Sequence, residues 1–308
     1  GKEDTGLYEK LAELYGGKPT REAQMKNLHK APAKLVSPYA IGDTELAMDL
    51  FLFQEKLVLE LEEVYALECR LFPHVFRLER EGLRVDVDVA VQRADMVTSE
   101  IDRIRKDLDK LAGFPVNPNP SGSIYKLFEP KQDKNGIWWA NDGTPLGTTN
   151  TGKASLGREE LAAMKHPAAT MVLEARKLMK ARDTFINGHI LGHVDAYGYV
   201  HPSINQTKTD KGSGTGTGRI SYQDPALQQI PNRDKKTASI VRPIFIPDLG
   251  QGWTYGDLDQ HELRIFHHFV KDPSILAKYK EDPDTDGHQA VADLIDLPRN
   301  ATAISGMA

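Results

Sequence analysis

Residues 253–269 read Trp253-Thr-Tyr-Gly-Asp-Leu-Asp-Gln-His-Glu-Leu-Arg-Ile-Phe-His-His-Phe269, and the change of period inside this stretch decides the fold. Its aromatic and β-branched start predicts a buried strand closed by Asp257. From Gln260 the spacing becomes helical, with Leu263, Phe266 and Val270 on one face and Phe269 beside them. Asp259 followed three residues later by Glu262 has the form of a capping box for that helix. A cap needs no second acid two residues upstream, so Asp257 is left over. A carboxylate at a strand end, facing the crevice before a helix, suits a metal.

Upstream, residues 207–219 are a glycine-rich tract ending in Thr217-Gly218-Arg219. No Gly-Lys-Ser/Thr follows in a strand–loop–helix frame, which argues against a P-loop. Next comes Asp224-Pro-Ala-Leu-Gln-Gln-Ile-Pro-Asn-Arg233. Farther back, Arg77-Leu-Glu-Arg-Glu-Gly82-Leu-Arg-Val-Asp86 predicts a helix ended by Gly82 and a short strand through Leu83 and Val85. Apolar residues at Ala94, Val97, Ile101, Ile104, Leu108 and Leu111 predict an amphipathic helix over 87–111, or equally a coiled-coil arm. Tyr39 and Asp43 are four apart, 214 residues before Asp257, and share a helical face.

These motifs, in this order, resemble DNA polymerase I (family A). Asp257, Gln260, Glu262, Leu263 and Arg264 match five of eight positions of its first catalytic motif. The 217–233 stretch matches its Thr-Gly-Arg and Asp-Pro-Asn-Leu-Gln-Asn-Ile-Pro-x-Arg elements, with Ala226 in place of an Asn. Tyr39 and Asp43 resemble the third motif of the family's 3′–5′ exonuclease domain. The Asp-x-Glu that such a nuclease also needs is missing upstream, so residues 1–60 are expected to be that domain's C-terminal remnant.

The resemblance implies an α+β fold: a right-hand polymerase fragment with a helical thumb and base over 61–200, and half of an antiparallel palm sheet over 201–308. It implies Asp257 as the catalytic residue and as ligand of two Mg2+ ions, with the Leu258 carbonyl as a further ligand. Gln260, Glu262 and His288 would contact the incoming dNTP, Glu262 by excluding a ribose 2′-hydroxyl. Arg219, Gln228, Gln229 and Arg233 would contact primer–template DNA. The family's fingers helix and second palm aspartate would follow Ala308, so a C-terminal polymerase fragment is an expected partner.

Charge distribution agrees with a phosphodiester substrate. The whole chain of 308 residues carries −5, yet residues 175–242 hold eleven basic against five acidic side chains. A basic tract beside an acidic region suits nucleic acid and metal, although a solvated charged surface looks the same. A single cysteine, Cys69, excludes an internal disulfide, and no Cys/His spacing suggests zinc. No apolar run approaches the ~20 residues of a membrane span, and a cytoplasmic location, the host's if phage-encoded, is expected.

Helices are also predicted at 7–14, as a bent pair over 45–71, from Ser121 to Phe128, over 158–165 and 168–190, and after Asp272-Pro273 and Asp286-Gly-His288. Residues 131–154, with the Trp138-Trp139 pair, predict a surface hairpin, and 196–201 a hairpin that re-enters the sheet. Two other classes compete: a duplex-binding module without chemistry, and a glycosyltransferase holding a nucleotide sugar through Asp257-Leu-Asp259. Binding of primer–template rather than a nucleotide sugar separates the second from a polymerase.

Overall fold

A computed structural model describes residues 6–57, 59–119, 122–209 and 212–294. The described chain is mostly helical with small antiparallel sheets. It divides into two compact units, one through Ile246 and one from Pro247 onward.

The first unit begins with α1 (Leu7–Tyr15) and α2 (Arg21–Gln24). The predicted bent pair follows as α3 (Ala33–Glu55) and α4 (Glu62–Glu81). Helix α3 buries none of its residues and exposes Leu46, Met48, Phe51 and Phe53. Helix α4 stops at Gly82, which adopts φ 66°. A Cβ there would meet the His201 ring at 2.7 Å and the Val200 carbonyl at 2.9 Å, so both the turn and the close approach require glycine. The chain then enters β1 (Leu83–Arg84).

Asp86 caps α5 (Val87–Ala112) by accepting from the Val89 amide at 2.9 Å. The predicted stripe of α5 is inward, with Val97, Ile101, Ile104 and Leu108 buried, while Leu111 stays exposed. The stripe packs within one globular core rather than extending as an arm. That core adds α6 (Gly122–Phe128), β3 (Trp138–Trp139), β4 (Pro145–Leu146), α7 (Arg158–Ala163) and α8 (Pro167–Lys180), with the exposed β2 (Lys131–Gln132) paired to β3. Ser121, expected as the cap of α6, lies outside the described residues. Strands β2–β4 make a three-stranded meander instead of a single hairpin. Trp138 packs on the core and Trp139 donates to Asp133 at 3.1 Å.

Beyond α8 the helix widens into π geometry over Ala181–Leu191. There Gly188 and Gly192 have backbone carbonyls only 3.0 Å from where a Cβ would sit. This segment supplies Ala181, Phe185, Ile186 and Ile190 to a second core with Val85, Ala90, Val200, Val241 and Ile244. As predicted, residues 196–201 re-enter a sheet: β5 (Tyr199–Val200) pairs with β1. The glycine tract connects β6 (Ser203–Asn205) to β7 (Ser221–Gln223), an antiparallel pair. The Asp224–Pro225 peptide bond is cis. Helix α9 (Lys235–Val241) closes the unit.

The second unit holds α10 (His261–Val270), α11 (Pro273–Glu281) and α12 (Gly287–Leu294). Asp272 caps α11 as expected, accepting from the Ser274 and Ile275 amides at 2.8 and 3.4 Å. No helix among the described residues is long and apolar enough to cross a membrane.

Candidate functional site

The stretch before α10 departs from the sequence expectation. Residues 251–258 form no strand, and Trp253 and Tyr255 are 59% and 79% exposed. A strand needs a ladder, and none of the described residues pairs with this one. The capping box is also absent. Gln260, at φ 50°, takes the N-cap position without a side-chain cap bond. The left-handed backbone there replaces the extended conformation from which an acid reaches the first-turn amides. The Asp259 carboxylate instead accepts from Gln260 Nε2 at 3.0 Å and lies 3.9 Å from Arg264 Nη2.

The buried face of α10 is rotated from the one predicted. His267 is buried and Leu263 and Arg264 are half-buried, whereas Phe266, Phe269 and Val270 are exposed. The cause is the side on which α11 packs: Arg264 lies over the Tyr279 ring at 4.7 Å and His267 beside it.

Asp257 and Leu258 are exposed, and Asp257 has no hydrogen-bond or ion-pair partner among the described residues. Its carboxylate and the Leu258 carbonyl are hard oxygen donors of the kind Mg2+ takes. Among the described residues no group of three or more His, Cys, Asp or Glu could hold a metal. With Asp259 tied to its neighbours, these residues supply part of a donor set and do not complete a two-ion site.

Around this stretch, Gln260 bridges to the start of α12. Its Oε1 accepts from the Gly287 amide at 2.7 Å and its Nε2 donates to the Thr285 carbonyl at 3.3 Å. Asp286 caps α12 by accepting from the His288 and Gln289 amides at 3.0 and 3.1 Å. His288 is therefore half-buried at a fixed helix start. Glu262 is exposed on the first turn of α10. The structure thus gathers Gln260, Asp286 and His288 around one bracket, which the sequence shows only as separate motifs.

In the first unit, Arg219 is exposed at the end of the glycine tract, and Gln228, Gln229 and Arg233 are exposed on the segment that follows it. Gln228 braces its own neighbourhood: Nε2 donates to the Ile220 carbonyl at 2.8 Å and Oε1 accepts from the Tyr222 amide at 3.2 Å. Arg233 has no partner among the described residues.

Much of the basic tract is committed internally. Arg176 donates to the Pro118 and Leu156 carbonyls at 2.6 and 2.7 Å, and burial pushes its guanidinium below the usual range. Lys177 pairs with Asp234 at 2.8 Å, Lys236 with Glu174, and Arg182 with Asp183 at 2.7 Å. The Lys177 ammonium, then the Thr237 amide, hold the Asp234 carboxyl down at about 2. These pairs explain a +6 segment that presents fewer free cations than its composition suggests.

Tyr39 and Asp43 sit one turn apart on α3, with Tyr39 edge-on to Tyr8 at 6.3 Å between ring centroids.

A sequence model of DNA polymerase family A matches residues 88–302. The chain belongs to DNA polymerase family A. Two relatives within the family are each 54% identical over 97% of this chain: "DNA polymerase DpoZ" of Salmonella phage PMBT28 and of Acinetobacter phage SH-Ab 15497. The chain spans about half the length of these curated relatives, 49% in each case. Among solved structures, the POL domain of Pol1 from M. smegmatis, in complex with DNA primer-template and dNTP, superposes with a TM-score of 0.65. That match covers 97% of this chain and 50% of the other at 20% identity, and it shows a shared fold.

Proposed function

We propose that this chain is part of a template-directed DNA polymerase that adds deoxynucleotides to a primer 3′ end by phosphoryl transfer. The observation that carries the reading is the family match across residues 88–302, which contains an exposed, unpartnered Asp257 at its first catalytic motif. In this reading residues 1–60 are an exonuclease remnant, 61–200 thumb and palm base, and 201–308 the first half of the palm.

Asp257 and the Leu258 carbonyl would hold Mg2+, two ions in the complete site. Bound there, the metal would lower the pKa of the primer hydroxyl and offset triphosphate charge. Glu262 would stand against a ribose 2′-hydroxyl, and Gln260 and His288 would serve the nucleotide. Arg219, Gln228, Gln229 and Arg233 would follow the duplex, Arg219 reading minor-groove acceptors shared by all base pairs. The curated relatives are about twice this length, which supports a reading in which further polymerase residues complete the donor set. Such an enzyme would act in the cytoplasm, the host's if phage-encoded.

The test is Asp257→Asn in the complete polymerase. Nucleotide addition should fall at least ~100-fold, the scale of a lost electrostatic stabiliser of the transition state, while primer–template binding is unchanged. A variant keeping more than a few percent of wild-type turnover would remove Asp257 from this role.

A further inference from the structure

Gln260 is engaged at both ends of its amide. Oε1 accepts from the Gly287 amide, and Nε2 donates to the Asp259 carboxylate and the Thr285 carbonyl. Arg264, one turn on, donates to the Asp259 carbonyl at 3.0 Å and the Pro283 carbonyl at 2.5 Å. Two side chains from the first turn of α10 therefore grip the 283–287 loop at separate points, and that loop delivers His288. The grip is close. A Cβ on Gly287 would meet Leu263 Cδ2 at 2.7 Å, Gln260 Oε1 at 3.1 Å and the Tyr279 hydroxyl.

We propose that Gln260 is a positioning residue, which sets His288 relative to Asp257 and Leu258 by holding Gly287, and does not itself touch the nucleotide. A primary amide offers two N–H donors and one carbonyl acceptor. Here the NH2 group already has two acceptors. The capacity left over is a carbonyl lone pair, the wrong polarity for a triphosphate oxygen. The assignment rests on the polymerase reading above.

A double-mutant cycle in the complete polymerase tests it. Gln260→Ala and His288→Ala should each raise KM for dNTP by about fivefold, the kinetic equivalent of one hydrogen bond, with kcat little changed. The double variant should be no worse than the worse single, because both remove the same contact. Multiplying effects, about 25-fold together, would mean that Gln260 acts independently of His288 and would overturn the proposal.

Hydrogen exchange gives the second arm. The Gly287 amide should exchange at least ~10-fold faster in Gln260→Ala, should do the same in Gln260→Met, which keeps the stem without the acceptor if the alanine variant misfolds, and should keep wild-type protection in His288→Ala. Unchanged exchange in Gln260→Ala would also overturn it. Wild-type enzyme that binds primer–template yet extends nothing would bring down the polymerase reading and this assignment with it. The exchange arm tells that failure apart from the absence of the brace.

Discussion

The chain through Ile246 and the chain from Pro247 hold their helices by different means. In the first, α5, α6 and α8 meet over a continuous set of buried aliphatic and aromatic side chains, with Phe128, Leu108 and Ile124 fully inaccessible. In the second, only His267, Gly287 and Ala292 are buried among the described residues. Its helices are instead fastened by the Gln260 amide, the Arg264 guanidinium and the Asp272 and Asp286 caps. Apolar packing is non-directional and tolerates small shifts in atom position. A hydrogen-bonded bracket fixes distances and angles, and loses its whole benefit when one partner goes. The unit that carries Asp257 is thus held by directional contacts, and the unit that carries Arg219 and Arg233 rests on bulk burial.

The largest effect should come from cutting the first core. Phe128→Ala should destabilise the first unit by ~3–5 kcal/mol, whereas Phe269→Ala, at a side chain 77% exposed on α10, should stay within about 0.5 kcal/mol. Denaturant melts of the two variants check this, and equal losses would erase the contrast between the units.

Arg176 sharpens the comparison within the first unit, since it is a polar strut inside an apolar region. Arg176→Ala should cost about 2 kcal/mol, the range of hydrogen bonds made by a charged donor. It should leave the salt dependence of primer–template binding unaltered. A salt slope shallower by about one would return Arg176 to the phosphate contacts.

The smallest effect is electrostatic. The Asp234 carboxyl is depressed to about 2 in the folded protein. Its stabilising contribution is present above the unfolded carboxylate range near 4 and is lost as pH falls through about 2. The side chain is 35% exposed, so solvent screening limits the contribution to about 1 kcal/mol. Asp234→Asn keeps a capable cap for α9 and should flatten the loss of thermal stability between pH 4 and 2. An unchanged acid limb would place that loss on other carboxylates, of which Asp142 and Asp195 are also depressed.

Legibility from sequence depended on how local each feature is. The stripe of α5, the stop at Gly82 and the cap at Asp272 were readable because each depends on periodicity or on one residue's local chemistry. Residues 253–257 looked like a strand because their side chains suit one, but a ladder depends on a partner elsewhere. The rotated face of α10 was hidden for a related reason: Phe266 and Phe269 are the more apolar choice, and the side on which α11 docks decided otherwise. Arg176 and Lys177 counted as free charge until Pro118, Leu156 and Asp234 supplied their partners. The Gln260 bracket joins residues 27 apart, and no local pattern announces it.

The π segment Ala181–Leu191 has a consequence for chain length. Its bonds run from i to i+5, so each turn holds roughly one residue more than an α turn. Deleting one residue here would let the helix relax to ordinary pitch rather than break. The result would be a twist of Phe185, Ile186 and Ile190 relative to the buried face of α8. A one-residue deletion in this segment is therefore expected to cost less stability than one in the middle of α5, which thermal melts of the two variants would show.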